Sequence, residues 1–223
     1  MGELGGALPY VVIANAALVA LVLVVVAAIV GRRLREVPGP LQNAIERGLE
    51  WFVGQARAIR ADAVTAIVPF LASLFAFILA CNLLIVVPVP LLRVAPTTYY
   101  GATLALALTA VGGVVVLGVR LHGLAATARH LVWPNPLQLV SEVSHVLSLS
   151  LRLFGNMGGE LLVAVLVTAA VPYGLPLVIH ALGLVPAVVQ PLVFTLLVSN
   201  FLGEAVHQEP ARQPASEPAP EAP

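Results

Sequence analysis

Lysine is absent from the 223 residues: all eleven basic side chains are arginine, and they balance eleven acidic ones to a formal net charge of zero. A neutral chain has no electrostatic footprint for nucleic acid. Charge of either sign is scarce, at 10% of residues, against about 25% in a soluble domain. The lone cysteine, Cys81, excludes an internal disulfide and any multi-cysteine metal site. Its apolar surroundings mark it as a packed thiol. The sequence has no strand alternation, internal repeat, phosphate-binding loop or His/Glu metal signature. What fills the chain is 60% hydrophobic residue, with a mean hydropathy of +1.00. That balance assigns it to the membrane class, and the expected fold is an all-α integral membrane protein.

A spanning helix needs roughly 20 apolar residues. Five segments qualify: residues 10–30, 64–87, 101–119, 137–171 and 176–206. The first is followed by the basic flank "GRRLRE", whereas a signal peptide carries its charge before a shorter apolar core. It is therefore expected to stay as a span, with the N-terminus outside. Between the first two spans, residues 40–60 read as an amphipathic surface helix. Leu41, Ile45, Leu49, Phe52 and Val53 recur at helical spacing, Glu46, Arg47 and Glu50 take the other side, and Trp51 falls at headgroup level. The last two spans exceed ~45 Å at ~1.5 Å per residue, more than an upright helix needs. They are expected to be strongly tilted, kinked, or both, and the last should bend where Pro186 and Pro191 each remove a backbone donor. Residues 1–207 make one membrane domain; the Pro/Ala/Glu-rich tail 208–223 reads as disordered.

Arginine placement predicts orientation. Residues 31–63 hold Arg32, Arg33, Arg35, Arg47, Arg57 and Arg60, and residues 120–135 hold Arg120 and Arg129. Residues 88–100 hold only Arg93, and 171–176 none. The positive-inside rule assigns the first two connections and the C-terminus to the cytoplasm.

The fourth span carries polar residues that lipid alone would not tolerate. On a helix with Arg152 at zero, Ser141 falls at about −20°, His145 at about +20°, Ser148 at about −40° and Asn156 at about +40°. Glu142 and Glu160 both fall near +80°, and Gly159 near −20°. Only Ser150 lies opposite, where a hydroxyl can satisfy itself against the helix backbone. Serines on such a stripe can be simple helix glue, worth about 1 kcal/mol or less each. An arginine at mid-membrane costs from ~2.5 to over 10 kcal/mol and is by default a functional group facing protein or water. Gly155, Gly158 and Gly159 beside it would let another helix come close. The pattern predicts a partner helix bearing negative charge. The last span offers a facing polar set: His180, Gln190, Thr195, Ser199, Asn200 and Glu204, with Gln190 at mid-depth.

"SLSLRLFGNMGGEL", Ser148 to Leu161, resembles the most distinctive stretch of the a subunit of the rotary F-type ATP synthase. "VPGPLQNAIE" after the first span, "CNLL" ending the second, "PTT" with "T.ALAL" opening the third, and Gln190 in the last extend the likeness over most of the chain. The resemblance implies an ion-translocating, non-catalytic stator subunit without cofactor or metal. It would sit in the bacterial inner membrane, with a c-subunit ring and peripheral-stalk b subunits as partners. By this likeness the last two spans would form a long, strongly tilted hairpin against that ring, and Arg152 would oppose the ring carboxylate, with Gln190 and Asn156 as its polar neighbours. Glu160 would line the outer half-channel, with His180 beside it, and Glu142, Ser141 and His145 the cytoplasmic one; Ser148 and Asn82 join the ion pathway. The chain departs from the family pattern at Gln138, Tyr99, Gly101 and Ile85, and at Gly183, where some members pair a histidine with the Glu160-type acid. The alternative reading is a secondary transporter with a midplane polar site, which proline-broken helices also suggest. It lacks a repeat, and five spans divide poorly into two halves.

Overall fold

The computed structural model describes residues 2–32, 39–86, 94–123, 136–171 and 174–207. Among these the regular structure is helical, without strands: α1 (Gly2–Arg32), α2 (Pro40–Ile59), α3 (Val64–Leu83), α4 (Tyr100–His122), α5 (Pro136–Ala170) and α6 (Leu175–His207). Two 3₁₀ turns, Leu84–Val86 and Pro96–Thr98, flank the connection between α3 and α4. Five helices (α1 and α3 to α6) are long and apolar enough to cross a membrane. In lipid a helix satisfies all its backbone groups internally, which is why so apolar a sequence takes this form throughout.

Element ends follow local chemistry. Pro40 opens α2, where its missing N–H costs nothing. Gly123 closes α4 at φ +88° and donates its N–H to the Val119 carbonyl at 2.8 Å. Gly174, directly before α6, stands at φ +79°, a conformation that strains any other residue.

Helices α3 to α6 pack together around Ile67, Leu71 and Ile78 of α3, Ala107, Ala110 and Val114 of α4, Leu149 and Leu153 of α5, and Phe194, Val198 and Leu202 of α6. Between membrane helices there is little hydrophobic drive, so close packing and hydrogen bonds hold them. Small residues serve that end: a Cβ at Gly113 would strike the ring of Phe70. α1 contributes a narrow buried stripe of Val12, Asn15 and Val19, and the Asn15 amide donates to the Val94 carbonyl at 2.9 Å.

The amphipathic stripe of α2 divides in two. Phe52, Ala56 and Ile59 are buried, and the Phe52 ring meets Phe75 at 5.6 Å. Ile45 and Leu49 stay exposed. The link from Ile59 to Val64 is short, and α2 packs against both α3 and α6, with Phe52 on Phe75 and Ile59 beside Gly203. The side chain of Leu41 and the tail 208–223 lie outside what is described.

Candidate functional site

Helix α5 has two unlike faces. Leu149, Leu153 and Met157 are fully buried against the bundle. Ser150 is buried with them and spends its hydroxyl on the Leu147 carbonyl at 3.1 Å, so it asks nothing of its neighbours. The other face presents Ser148, Leu151, Arg152, Gly155, Asn156 and Gly159, all exposed. The middle of the polar stripe, around Arg152, therefore looks out of the bundle, and its glycines leave a smooth surface around the guanidinium.

Arg152 meets no carboxylate within its own chain among the described residues. The single ion pair there is Arg60 Nε to Asp62 Oδ1 at 2.9 Å, in the link between α2 and α3. The hydrogen bond from Arg60 holds the exposed Asp62 carboxyl below its usual range.

Three contacts tie the stripe to α6. The His145 ring stacks on Phe201, with centroids 3.6 Å apart and planes 9° from parallel. The Asn156 amide donates to Gln190 Oε1 at 2.6 Å. The Glu160 carboxylate lies against Gly183, where an added Cβ would collide with it. Positions rise along α5 as they fall along α6, so the two helices run antiparallel. Gln190 is 4% exposed, and its Nε2 has no acceptor among the described residues. A buried donor left over in this way is a reserve for a group outside the chain or for water.

Asn82 belongs to a different layer. It is fully buried near the end of α3; its Nδ2 donates to the Ala187 carbonyl of α6 at 3.1 Å, and its Oδ1 accepts from Thr97 Oγ1 at 2.7 Å. The side chains of His180, Glu142 and Ser141, and that of Gln138, lie outside the described residues. The structure thus joins Asn156 to Gln190 one helical turn from Arg152 and sets Glu160 against Gly183, while Asn82 meets α6 from α3. Sequence reasoning missed Thr97 as a partner of Asn82 and Phe201 as the platform for His145. No three of His, Cys, Asp and Glu come together as a metal-holding group among the described residues.

A family model described as the ATP synthase A chain matches residues 12–203. The chain is 35% identical over 206 residues to ATP synthase subunit a 1 of Syntrophotalea carbinolica, covering 88% of this chain and 86% of that protein. It is 35% identical over 180 residues to ATP synthase subunit a of Moorella thermoacetica, covering 79% and 81%. Over 198 residues it is 35% identical to ATP synthase subunit a 1 of Crocosphaera subtropica, covering 85% and 84%.

Proposed function

Because this chain belongs to the ATP synthase subunit a family, we propose that it is the ion-translocating stator subunit of a rotary ATP synthase and that Arg152 opposes a carboxyl of the rotating ring. The observation that carries the assignment of Arg152 is its setting. The guanidinium stands on an exposed, glycine-flanked face of a membrane-spanning helix, with no carboxylate from its own chain among the described residues. A charge so costly in lipid needs an external counterpart.

The chemistry follows from where each charge is stable. A ring carboxyl facing lipid stays protonated, because desolvation disfavours its ionised form. Beside Arg152 the ionised form is favoured: two unit charges ~4 Å apart at an effective dielectric near 20 interact by about 4 kcal/mol. That energy shifts the protonation equilibrium roughly a thousandfold, at ~1.36 kcal/mol per tenfold. The proton leaves by one half-channel, and the carboxyl regains one from the other before returning to lipid. Arg152 bars the direct route, since a proton passing it meets a fixed positive charge. Each charge that crosses gains about 2.3 kcal/mol per 100 mV. The ring must therefore turn for ions to pass.

In this reading the N-terminus faces outside and the C-terminus the cytoplasm. Glu160, against α6, lines the outer half-channel; Glu142, Ser141, His145 and Ser148 line the cytoplasmic one. Asn156 and Gln190, joined to each other, shape the polar pocket beside the arginine, and Gln190 keeps one donor for the ring carboxylate or for water. The chain carries no catalytic chemistry of its own. Its partners are the ring and the peripheral-stalk subunits that hold it still.

Isolating the chain from membranes in mild detergent tests this function. A ring of small hairpin subunits is expected to come with it. Recovery of the chain alone, or only with copies of itself, would point to a transporter instead.

A further inference from the structure

Helix α6 contains a carbonyl that its own helix cannot satisfy. In an α-helix the carbonyl of residue 187 takes the N–H of residue 191. Residue 191 is proline, inside α6, and has no N–H to give. Ala187 is fully buried, so water has no access to that carbonyl. In a membrane such a group must find a donor elsewhere in the protein.

Asn82 supplies it. Its Nδ2 reaches the Ala187 oxygen from α3 at 3.1 Å across 105 residues of sequence. The other end of the same carboxamide is engaged as well, since Oδ1 accepts from Thr97 Oγ1 at 2.7 Å. Asn82 and Thr97 are both fully buried. With both ends held, the amide cannot turn its donor away from α6. The strut therefore ties α3 to α6 at the carbonyl that Pro191 leaves open. Gln190 lies between Ala187 and Pro191 and accepts from the amide of Asn156, one turn from Arg152, at 2.6 Å.

Given the stator function proposed for this chain, we infer that Asn82 is a positioning residue for ion translocation: by capping the carbonyl that Pro191 leaves open, it sets the direction of Gln190 and so the polar pocket beside Arg152. Thr97 is its support. The role depends on the proline. An asparagine that merely filled space would matter equally whatever stood at position 191.

That dependence supplies the test, on the whole ATP synthase in vesicles, with synthesis measured per assembled complex. Asn82→Leu, similar in shape and without hydrogen-bonding groups, is expected to lose about tenfold, the penalty of orphaning one buried polar group. Pro191→Ala gives Ala187 back its own N–H. In that background Asn82→Leu is expected to cost no more than about twofold, because the pair is coupled rather than additive. An equal loss in both backgrounds, or no loss in either, overturns the inference.

If Asn82→Leu prevents assembly, adding Pro191→Ala is expected to restore it, and Thr97→Val is expected to give a smaller loss that Pro191→Ala also relieves. Losses left unrelieved would count against the strut. If Pro191→Ala itself stops synthesis, the same cycle is measured on the temperature at which the subunit leaves the complex. There, relief by Pro191→Ala supports the strut and an equal drop in both backgrounds overturns it. The stator function is judged separately: a wild-type complex that makes no ATP under an ion gradient defeats it, while the dissociation cycle still decides the role of Asn82.

Discussion

The carboxylate of Glu160 occupies the volume that a side chain at Gly183 would fill. Two helices thus meet at a glycine because the acid needs the room. The obstacle to a larger residue is the far end of a flexible side chain, not backbone, so the fold should tolerate substitution while the carboxylate moves. Gly183→Ala is expected to leave the complex assembled and to slow ion flux about fivefold, the scale of a contact energy near 1 kcal/mol. In a Glu160→Ala background the same change should be silent, because the space is already empty. Passive flux through the membrane sector, in both backgrounds, checks this.

Glu160→Gln keeps the shape and removes the titrating group. With Glu160 in the outer half-channel, it slows ion flux and alters the pH dependence of that flux, while synthesis remains coupled to what still passes. Flux measured across a pH series decides: an unchanged profile would reduce Glu160 to packing.

Asn156 and Gln190 act as one unit across α5 and α6, through a 2.6 Å hydrogen bond. Gln190→Leu and Asn156→Leu are each expected to lower gradient-driven synthesis about tenfold, the scale of one lost hydrogen bond. The double variant should be no worse than the poorer single one, as expected for residues that share an interaction. Full additivity in the synthesis rates would mean that the two work apart.

The Arg60–Asp62 pair makes a contrasting case. Asp62 is exposed, and its carboxyl is held below the ordinary value by the hydrogen bond from Arg60. A depressed carboxyl contributes stability that is present above its ordinary pKa and lost as pH falls through the depressed value. The pair is therefore intact at neutral pH, and exposed pairs contribute little. Asp62→Asn is expected to leave assembly and synthesis at neutral pH unchanged. A marked loss of assembled complex on native gels would show that this link matters more than an exposed pair should.

Much of the site is legible before any coordinates. A helix of constant pitch sets Ser150 against Arg152, and burial follows: Ser150 is enclosed and backbone-bonded, while Arg152 stands exposed. The spacing of charged and apolar residues also suffices for the five spans, because lipid makes length and hydropathy decisive. What stays hidden depends on contacts between distant segments. Pro191 announces a missing donor, but nothing in the sequence says that residue 82 provides the replacement. Phe201 follows Ser199 and Asn200 with no mark that it will carry the His145 ring. Ile45 and Leu49 share a stripe with Phe52, yet only packing against the bundle decides that Phe52 is covered and they are not. Gly183 reads as an absent histidine; its use as a cradle for Glu160 appears only once α5 and α6 are side by side.

The central claim is that the guanidinium of Arg152 answers a carboxyl on another polypeptide, and ATP synthesis driven by an imposed proton gradient in vesicles tests it most directly. With Arg152→Ala the complex, ring included, is expected to assemble and to make no ATP, while the wild-type complex does. Synthesis at the wild-type rate in that variant would contradict the account.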